Sequence, residues 1–359
     1  MTAPLAGIRI VEFDGLGPVT LAGMMLADMG AEVLRLKRPA GAAVAFEEVG
    51  GAILHRGRAA VEVDLKSPAD LEAVRDLIAG AHALIEGFRP GVMERLGLGP
   101  DVCRALNRRL VYGRVTGWGQ TGPLADQVGH DLNYLGLTGA LHAMGSADRP
   151  PSPPLNLVAD YGGGAMLLVS GVLAGVIAAH RSGAGRVVDA AMTDGVGVLS
   201  SLFHALGARG LWSPARESNL LDGGAPFYRC YACADGGFVA VAALEPRFFA
   251  ALLAGLEIEA AEVNQYDRDG WPALQARFEG LFAARARDDW AAHFAGTEAC
   301  VTPVLTFDEA RHHPQATTRQ AFTADGAPAP APRFDGAVGS PQPAGGMTLA
   351  TAVANWAVR

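Results

Sequence analysis

The sequence predicts an α/β protein, with a Rossmann-like large domain built on a parallel sheet and a smaller α+β domain. Short β-rich runs alternate with helical stretches in the first half of the chain, which is typical of a parallel sheet covered by helices. A hairpin pattern follows after residue 220, and 359 residues are enough for two hydrophobic cores.

The chain opens with a strand, a helix and a second strand. Residues 8–13 are rich in β-branched and aromatic side chains, residues 14–18 form a loop of glycine and proline, and residues 19–29 have helical periodicity. Residues 31–36 complete a βαβ unit. We expect further strands at residues 60–63, 83–86, 110–115 and 186–191, and a helix at residues 68–78.

Residues 161–179 are nearly free of polar side chains and approach the length that spans a membrane. A β-rich run begins only a few residues later. We therefore interpret the segment as a buried helix of the α/β core, and we expect no membrane span.

The second part of the chain has a different pattern. Residues 227–233 and 238–244 flank an Ala-Asp-Gly-Gly turn and predict a β-hairpin, and residues 246–256 and 271–294 have helical spacing. A connector rich in proline, glycine and alanine covers residues 324–346. The expected division is a large domain at residues 1–195, a linker helix at 196–220, a small domain at 221–320 and a segment at 321–359 that returns to the large domain.

The amino-acid composition argues against several classes of protein. The net charge of −8 argues against a nucleic-acid surface. The chain starts without the basic residues of a secretory signal, and four cysteines are too few for a disulfide framework, so we expect a cytoplasmic protein. Cys230 and Cys233 would point to opposite faces of a strand, and His312 and His313 lack a third ligand nearby, so no metal site is expected.

Basic side chains follow several predicted strands, where open α/β sheets bind their ligands. Residues 15–20 half resemble a dinucleotide fingerprint, but Thr20 replaces its third glycine, and the second strand ends in Lys37-Arg38 rather than in an acid. A basic strand end suits the ribose phosphate of NADP or of coenzyme A. Guanidinium groups bind phosphates well, and the cations expected to converge on such a ligand are Arg56, Arg58, Lys66, Arg89 and Arg95.

His130 and Asp160 each precede a predicted helix, at residues 132–144 and 162–180. The free N–H groups and the positive dipole end of a helix start stabilise negative charge. Removal of a proton next to a thioester carbonyl puts negative charge on the carbonyl oxygen, and inversion at that carbon needs a base on each face. A His–Asp pair fits this chemistry. The structural alternatives are a plain N-cap role for Asp160 and a hydrogen-bonded loop role for His130.

Six motifs carry a family resemblance: Gly87-Phe-Arg-Pro-Gly91, Glu94-Arg-Leu-Gly-Leu-Gly-Pro100, Gly117-Trp-Gly-Gln-Thr-Gly-Pro123, Gly129-His-Asp-Leu-Asn-Tyr134, Asp189-Ala-Ala-Met-Thr-Asp-Gly195 and Leu221-Asp-Gly-Gly-Ala-Pro-Phe-Tyr228. On these motifs the chain resembles the α-methylacyl-CoA racemase family, within the family III CoA-transferase superfamily, over nearly its full length. The resemblance implies a Rossmann-like large domain, a small α+β domain and an interlaced homodimer.

The resemblance also implies roles for individual residues. His130 and Asp160 are the two catalytic bases, Glu245 orients the histidine and can come from either subunit, and Asn156 is a polar neighbour of Asp160. Residues 129–134 receive the thioester, with the Asp131 N–H facing its oxygen. The substrate is an acyl-CoA, so coenzyme A is part of the substrate and no separate cofactor is required. The implied coenzyme A contacts are Arg38, Val63, Asp64, Leu65, Lys66, Gly87, Phe88, Arg89, Arg95, Gly129, Asp131, Leu132, Asn133 and Tyr134.

A family III CoA-transferase is the main alternative, in which Asp160 attacks the thioester and forms a mixed anhydride. Transferases of the superfamily lack the run Gly-His-Asp-x-Asn-Tyr, so His130 favours the racemase. A non-catalytic CoA-binding protein explains the arginines but not two titratable groups at helix starts. Thr20 argues against an NADP-dependent dehydrogenase. The sequence leaves the acyl group open and assigns no role to residues 40–53.

Overall fold

The computed structural model of the chain describes residues 3–39 and 50–356. The chain divides into two compact units: the first contains residues 1–138, 154–201 and 318–359, and the second contains residues 139–153 and 202–317. This division differs from the expected one, because residues 139–153 belong to the second unit and the expected linker helix is split between the two. Of the segment 40–53, residues 40–49 lie outside the described residues.

The strands are β1 Arg9–Phe13, β2 Glu32–Lys37, β3 Arg58–Glu62, β4 Ala83–Glu86, β5 Val111–Thr116, β6 Val187–Ala191, β7 Tyr228–Ala232, β8 Phe238–Ala242, β9 Val301–Val304 and β10 Gly345–Gly346. The α-helices are α1 Pro18–Asp28, α2 Gly51–Leu54, α3 Pro68–Ala79, α4 Val92–Arg95, α5 Pro100–Leu106, α6 Asp131–Leu137, α7 Met166–Ser182, α8 Met192–Leu199, α9 Ser201–Ala208, α10 Pro246–Gly255, α11 Trp271–Phe282, α12 Arg287–Phe294, α13 Phe307–His312, α14 Pro314–Thr318 and α15 Leu349–Trp356. A π-helix, Leu157–Ala165, leads directly into α7.

The first unit is built on a parallel sheet. Within the described residues this sheet has seven strands in the order β10-β3-β2-β1-β4-β5-β6. Every pairing is parallel, and Val11 of the central strand β1 lies opposite Leu34 on one side and Leu84 on the other. The three side chains are buried, as are nearly all residues of β4 and β5. The predicted parallel α/β fold is therefore confirmed.

The long apolar helix of the first unit packs on this sheet. Residues 157–182 have the length and composition of a membrane span. An 18-residue window within them has a mean hydropathy of 1.9, and half of that window is buried in the fold. Its α7 part lies so close to β5 that a Cβ atom on Gly113 would be 2.8 Å from Leu168 and 3.0 Å from Val172. Burial against a sheet is the position of a core helix in an α/β protein.

The second unit contains the predicted hairpin. Strands β7 and β8 pair antiparallel, and β9 adds a third antiparallel strand. Cys230 is exposed and Cys233 is buried, as expected for opposite faces. The predicted single helix at residues 271–294 is wrong, because α11 ends at Phe282 and α12 begins at Arg287. Between them the carbonyl group of Arg285 accepts a hydrogen bond from Ala234 N in the hairpin turn, at 2.9 Å.

Two of the arginines that were expected to bind a polyanion are instead buried in ion pairs. Arg58 is the first residue of β3, and its Nη1 lies 2.6 and 2.8 Å from the carboxylate oxygens of Glu12, with both side chains fully buried. Arg56 pairs with Asp28 at 2.6 Å. The expectation of ligand contacts for Arg56 and Arg58 is therefore wrong, because each guanidinium neutralises a buried carboxylate, Asp28 of α1 in one case and Glu12 of β1 in the other.

We expect Arg58→Met to destabilise the first unit by roughly 3 to 5 kcal/mol, because it leaves the Glu12 carboxylate buried without a partner. The double variant Glu12→Leu/Arg58→Met should recover most of that loss, since it removes both charges. Urea unfolding followed by circular dichroism measures the free energies. Equal destabilisation by the single and double variants would contradict this account of the pair.

Candidate active site

His130 stands immediately before α6 and forms its N-cap. Its backbone N–H donates to Oδ1 of Asn133 at 3.1 Å, and its imidazole ring is exposed. The helix is shorter than the predicted 132–144, because it ends at Leu137 and Gly139 then takes a left-handed backbone with a φ of 82°. The structure thus presents the His130 ring at the first turn of a short helix.

The loop before α6 is held by an aromatic contact. The ring of Tyr134 packs edge-on against Trp118, with ring centroids 4.8 Å apart, and its hydroxyl group donates to the carbonyl oxygen of Gly129. A Cβ atom on Gly117 would lie 2.0 Å from the tyrosine ring, and one on Gly129 would lie 2.7 Å away. Glycine is required at both positions, which accounts physically for two of the glycines in the family motifs.

Asp160 lies within the first turn of the π-helix, and not before a helix that begins at residue 162 as predicted. The first N–H groups of any helix have no acceptor within it. Here the N–H groups of Ala159 and Asp160 both donate to Oδ2 of Asp131, at 2.9 and 2.8 Å. The free donors expected at this helix start are therefore occupied by a carboxylate of the protein itself.

The Asp131 side chain makes a contact that the sequence pattern did not indicate, because the family resemblance implies a role only for the Asp131 N–H. The residue is 6% exposed, and its second oxygen, Oδ1, is buried without a hydrogen-bond partner in the part of the chain that the structure describes. Because Asp131 follows His130 directly, its carboxylate ties the backbone of Asp160 to the segment that carries the histidine.

The environment of Asp160 changes its acidity. Burial, reinforced by the negative charge of Asp131, raises the pKa of Asp160 from 3.8 to about 6, while a hydrogen bond with the Asn156 side chain and the charge of His130 oppose the shift. The folded protein therefore holds a proton between these pH values that the unfolded chain releases. For this group alone, stability decreases as the pH rises through that window.

The other predicted ligand contacts converge on the carboxyl edge of the parallel sheet. Arg38 follows β2, residues 63–66 follow β3, residues 87–89 follow β4, and the loop after β5 leads to residues 129–134. Arg38, Lys66, Arg89 and Arg95 are exposed. Neighbouring parallel strands end at the same edge, so the topology brings these cations together. Burial raises the pKa of Tyr134, and the positive charge of Arg89 partly opposes this shift.

A buried ionic network supports two of these segments. The carboxylate of Glu86 accepts a hydrogen bond from Phe88 N at 2.7 Å and another from Arg114 Nε at 2.9 Å. Arg114 also binds Glu94 of α4 at 2.8 Å, next to Arg95. Glu86 has no exposed surface, and burial raises its pKa to about 7. The network fixes the loop at residues 87–89 and the short helix that carries Arg95.

Glu245 lies in the second unit, where it is exposed and forms the N-cap of α10. Its pairing with His130 stays a prediction. Among the described residues no group of three His, Cys, Asp or Glu side chains could hold a metal ion.

We expect Asp131→Asn to lower the pKa of Asp160 below about 6, because the amide oxygen can still accept both N–H groups while the neighbouring negative charge is removed. Asp131→Ala should instead destabilise the fold by roughly 1 to 3 kcal/mol for each N–H group left without an acceptor. Carboxyl ¹³C NMR titration and urea unfolding measure the two effects. An unchanged titration of Asp160 in Asp131→Asn would refute the electrostatic role of Asp131.

Comparisons with known proteins show which family the chain resembles. The sequence model of CoA-transferase family III matches residues 5–342. The chain is 43% identical to the alpha-methylacyl-CoA racemase of Mus musculus over 330 residues, which cover 92% of this chain and 85% of the relative. It is 41% identical to the alpha-methylacyl-CoA racemase of Homo sapiens, over 91% of this chain and 86% of the relative.

The fold has a counterpart among solved structures. The crystal structure of a CAIB/BAIF family protein from Brucella suis superposes with a TM-score of 0.81 over 99% of both chains, at 26% identity. The family match covers most of the sequence, and both racemases exceed 40% identity over most of their length. The chain therefore belongs to CoA-transferase family III.

Proposed function

We propose that this protein is an isomerase that racemises 2-methylacyl-CoA thioesters. The observation that carries the proposal is the bond between the Asp131 carboxylate and the backbone N–H of Asp160, which joins the segment with His130 to the segment with the second base. The named activity of the two racemase relatives supports it.

The reaction removes the α-proton on one face of the carbon and adds a proton on the other face. One base takes the α-proton, the C–H electron pair moves into the new C=C bond of an enolate, and negative charge develops on the thioester oxygen. The N–H of Asp131 opens α6 and so has no acceptor within the helix, which makes it a suitable donor to that oxygen. The second base then delivers a proton to the opposite face, which inverts the carbon.

The acidity of Asp160 suits both directions of this reaction. A carboxyl group with a pKa of about 6 is ionised in part and protonated in part near neutral pH. It can therefore accept a proton from one enantiomer and donate one to the enolate of the other. Asn156 lowers this pKa through its hydrogen bond, and we assign it a positioning role. We assign Glu245 the role of orienting the His130 ring.

The coenzyme A portion of the substrate lies, in this proposal, along the carboxyl edge of the sheet. Arg38, Lys66, Arg89 and Arg95 meet its phosphates, and residues 63–66 and 87–89 supply backbone contacts. Coenzyme A enters as part of the substrate, and the proton transfer needs no further cofactor. We place the reaction in the cytoplasm, which suits four cysteines that are all free thiols.

We further propose that the protein is a homodimer. Helix α9 is mostly apolar, but no residue of it is buried; the Leu202 and Phe203 side chains are 53% and 38% exposed. A contiguous exposed apolar surface of this kind is typical of a protein interface. The family resemblance implies an interlaced homodimer, so the partner that covers this surface in our proposal is a second copy of the chain.

We expect Leu202→Glu/Phe203→Glu to convert the dimer into a monomer, because two charges would have to be buried in the interface. Light scattering coupled to size-exclusion chromatography measures the mass. Ala273→Glu/Ala276→Glu is the matched control, since both alanines are exposed on α11 and carry no large apolar side chain, so this change should leave the mass unaltered. A monomeric wild-type protein would refute the proposed dimer.

The two-base mechanism makes a stereochemical prediction. Each enantiomer loses its proton to a different residue, so His130→Ala should stop exchange of the α-proton in D₂O for one enantiomer and leave exchange of the other. Asp160→Ala should give the mirror result, and both variants should lose net racemisation by about 10²-fold or more. ¹H NMR and chiral chromatography of each 2-methylacyl-CoA enantiomer measure these rates.

A CoA-transferase would behave differently in the same assay. Asp160→Ala would abolish all activity, His130→Ala would have a mild effect, and hydroxylamine would trap an acyl group on Asp160. Binding of the acyl-CoA by each variant is the control for an intact pocket. Normal racemisation by His130→Ala with intact binding would refute the proposed function.

A further inference from the structure

A cavity of about 920 Å³ opens in the first unit, away from the candidate active site. Its lining includes Arg9 at the start of β1, His82 just before β4, Arg109 two residues before β5, and His180 in the last turn of α7. These positions lie at the amino edge of the parallel sheet, whereas the predicted acyl-CoA contacts follow the carboxyl ends of the strands. The cavity is therefore distinct from that site.

The lining of the cavity is positively charged. None of its described lining residues is acidic, although the chain as a whole has a net charge of −8. Arg9 is partly neutralised, because its Nε lies 3.5 Å from Glu32 and its Nη2 donates to the carbonyl oxygen of Asn355 at 3.2 Å. The positive charge of the cavity consequently rests mainly on Arg109, and the two histidines contribute imidazole N–H donors.

The two imidazole rings are stacked with their centroids 6.3 Å apart. Nδ1 of His82 accepts a hydrogen bond from Arg9 N at 3.0 Å, so the neutral ring carries its proton on Nε2. Burial lowers the pKa of His82, and the charges of His180, Arg9 and Arg109 lower it further. The His82 ring is therefore favoured in its neutral form, with an Nε2–H group that can donate to a ligand.

Helix ends give a competing explanation for these cations. Helix α3 ends at this cavity, and the carbonyl groups at a helix C-terminus attract positive charge. Nδ2 of Asn107 already donates to the carbonyl oxygens of Ile78, Ala79 and Ala81, at 3.4, 3.3 and 2.7 Å. Because this amide already donates to carbonyl groups at the helix end, Arg109 and the histidine pair are not required as hydrogen-bonding caps of α3.

We propose that this cavity is a binding site for a phosphate group, held by Arg109, His82 and His180. A guanidinium fork and two imidazole N–H groups are donors that suit the oxygens of a phosphate. The volume exceeds that of the free ion and lies in the range of small-molecule pockets, so a phosphate monoester fits as well as inorganic phosphate.

The test is an NMR titration of the His82 and His180 rings with inorganic phosphate and, separately, with glycerol 3-phosphate. Sodium chloride keeps the ionic strength constant. We expect saturable shifts of both rings at millimolar ligand, and a rise of roughly one unit in the pKa of His82, because an anion nearby favours the imidazolium. Tighter binding of glycerol 3-phosphate would indicate a phosphorylated metabolite, and tighter binding of inorganic phosphate would indicate the free ion.

The variant Arg109→Gln distinguishes a specific phosphate-binding site from nonspecific attraction of anions by positive charge. This variant should raise the pKa of His82 without ligand, since a like charge is removed, and should weaken phosphate binding about tenfold or more. Arg108→Gln removes an equal charge from the neighbouring exposed position, which does not line the cavity, and should bind phosphate like the wild type. Absence of saturation with both ligands, or equal affinity in Arg109→Gln and wild type, would overturn the proposal.

Discussion

One buried carboxylate holds the candidate active site together. The start of the π-helix exposes two backbone N–H groups that need an acceptor, and Asp131 supplies one at 2.8 to 2.9 Å. Burial raises the pKa of Asp160, and the charge of Asp131 adds to that effect. The Asp131 side chain therefore fixes the backbone of the candidate second base and also contributes to its acidity.

Close packing around the π-helix makes this contact possible. A Cβ atom on Gly195 of α8 would lie 2.0 Å from the carbonyl oxygen of Gly163, so the two helices touch through their backbones. Gly17, which has a φ of 66°, lies on another side of the π-helix. A Cβ atom at this position would be 3.2 Å from Oδ2 of Asp160, so the glycine leaves room for that carboxylate. The loop that half resembles a dinucleotide fingerprint thus lies beside the candidate second base.

Buried ion pairs and exposed cations occupy different places in the parallel sheet of the first unit. Arg58 and Arg114 are buried, and each neutralises a carboxylate inside the first unit, Glu12 in one case and Glu86 in the other. Cations that follow the carboxyl ends of strands stay exposed and form the predicted acyl-CoA edge. A protein with net negative charge can bind a polyanion in this way, because exposed cations are gathered at one edge of its sheet.

The sequence by itself determined the alternation of strands and helices, the hairpin of the second unit, and the two residues at the centre of the candidate site, since local periodicity and short motifs encode these features. It could not distinguish Arg58 from Arg89, because burial against Glu12 depends on which strands become neighbours. Nor could it reveal the Asp131–Asp160 contact, which joins residues 29 positions apart in the chain. The π-helix also depends on tertiary structure, because the N–H groups at its start donate to a carboxylate that is distant in the sequence. Local helix propensity cannot predict that partner.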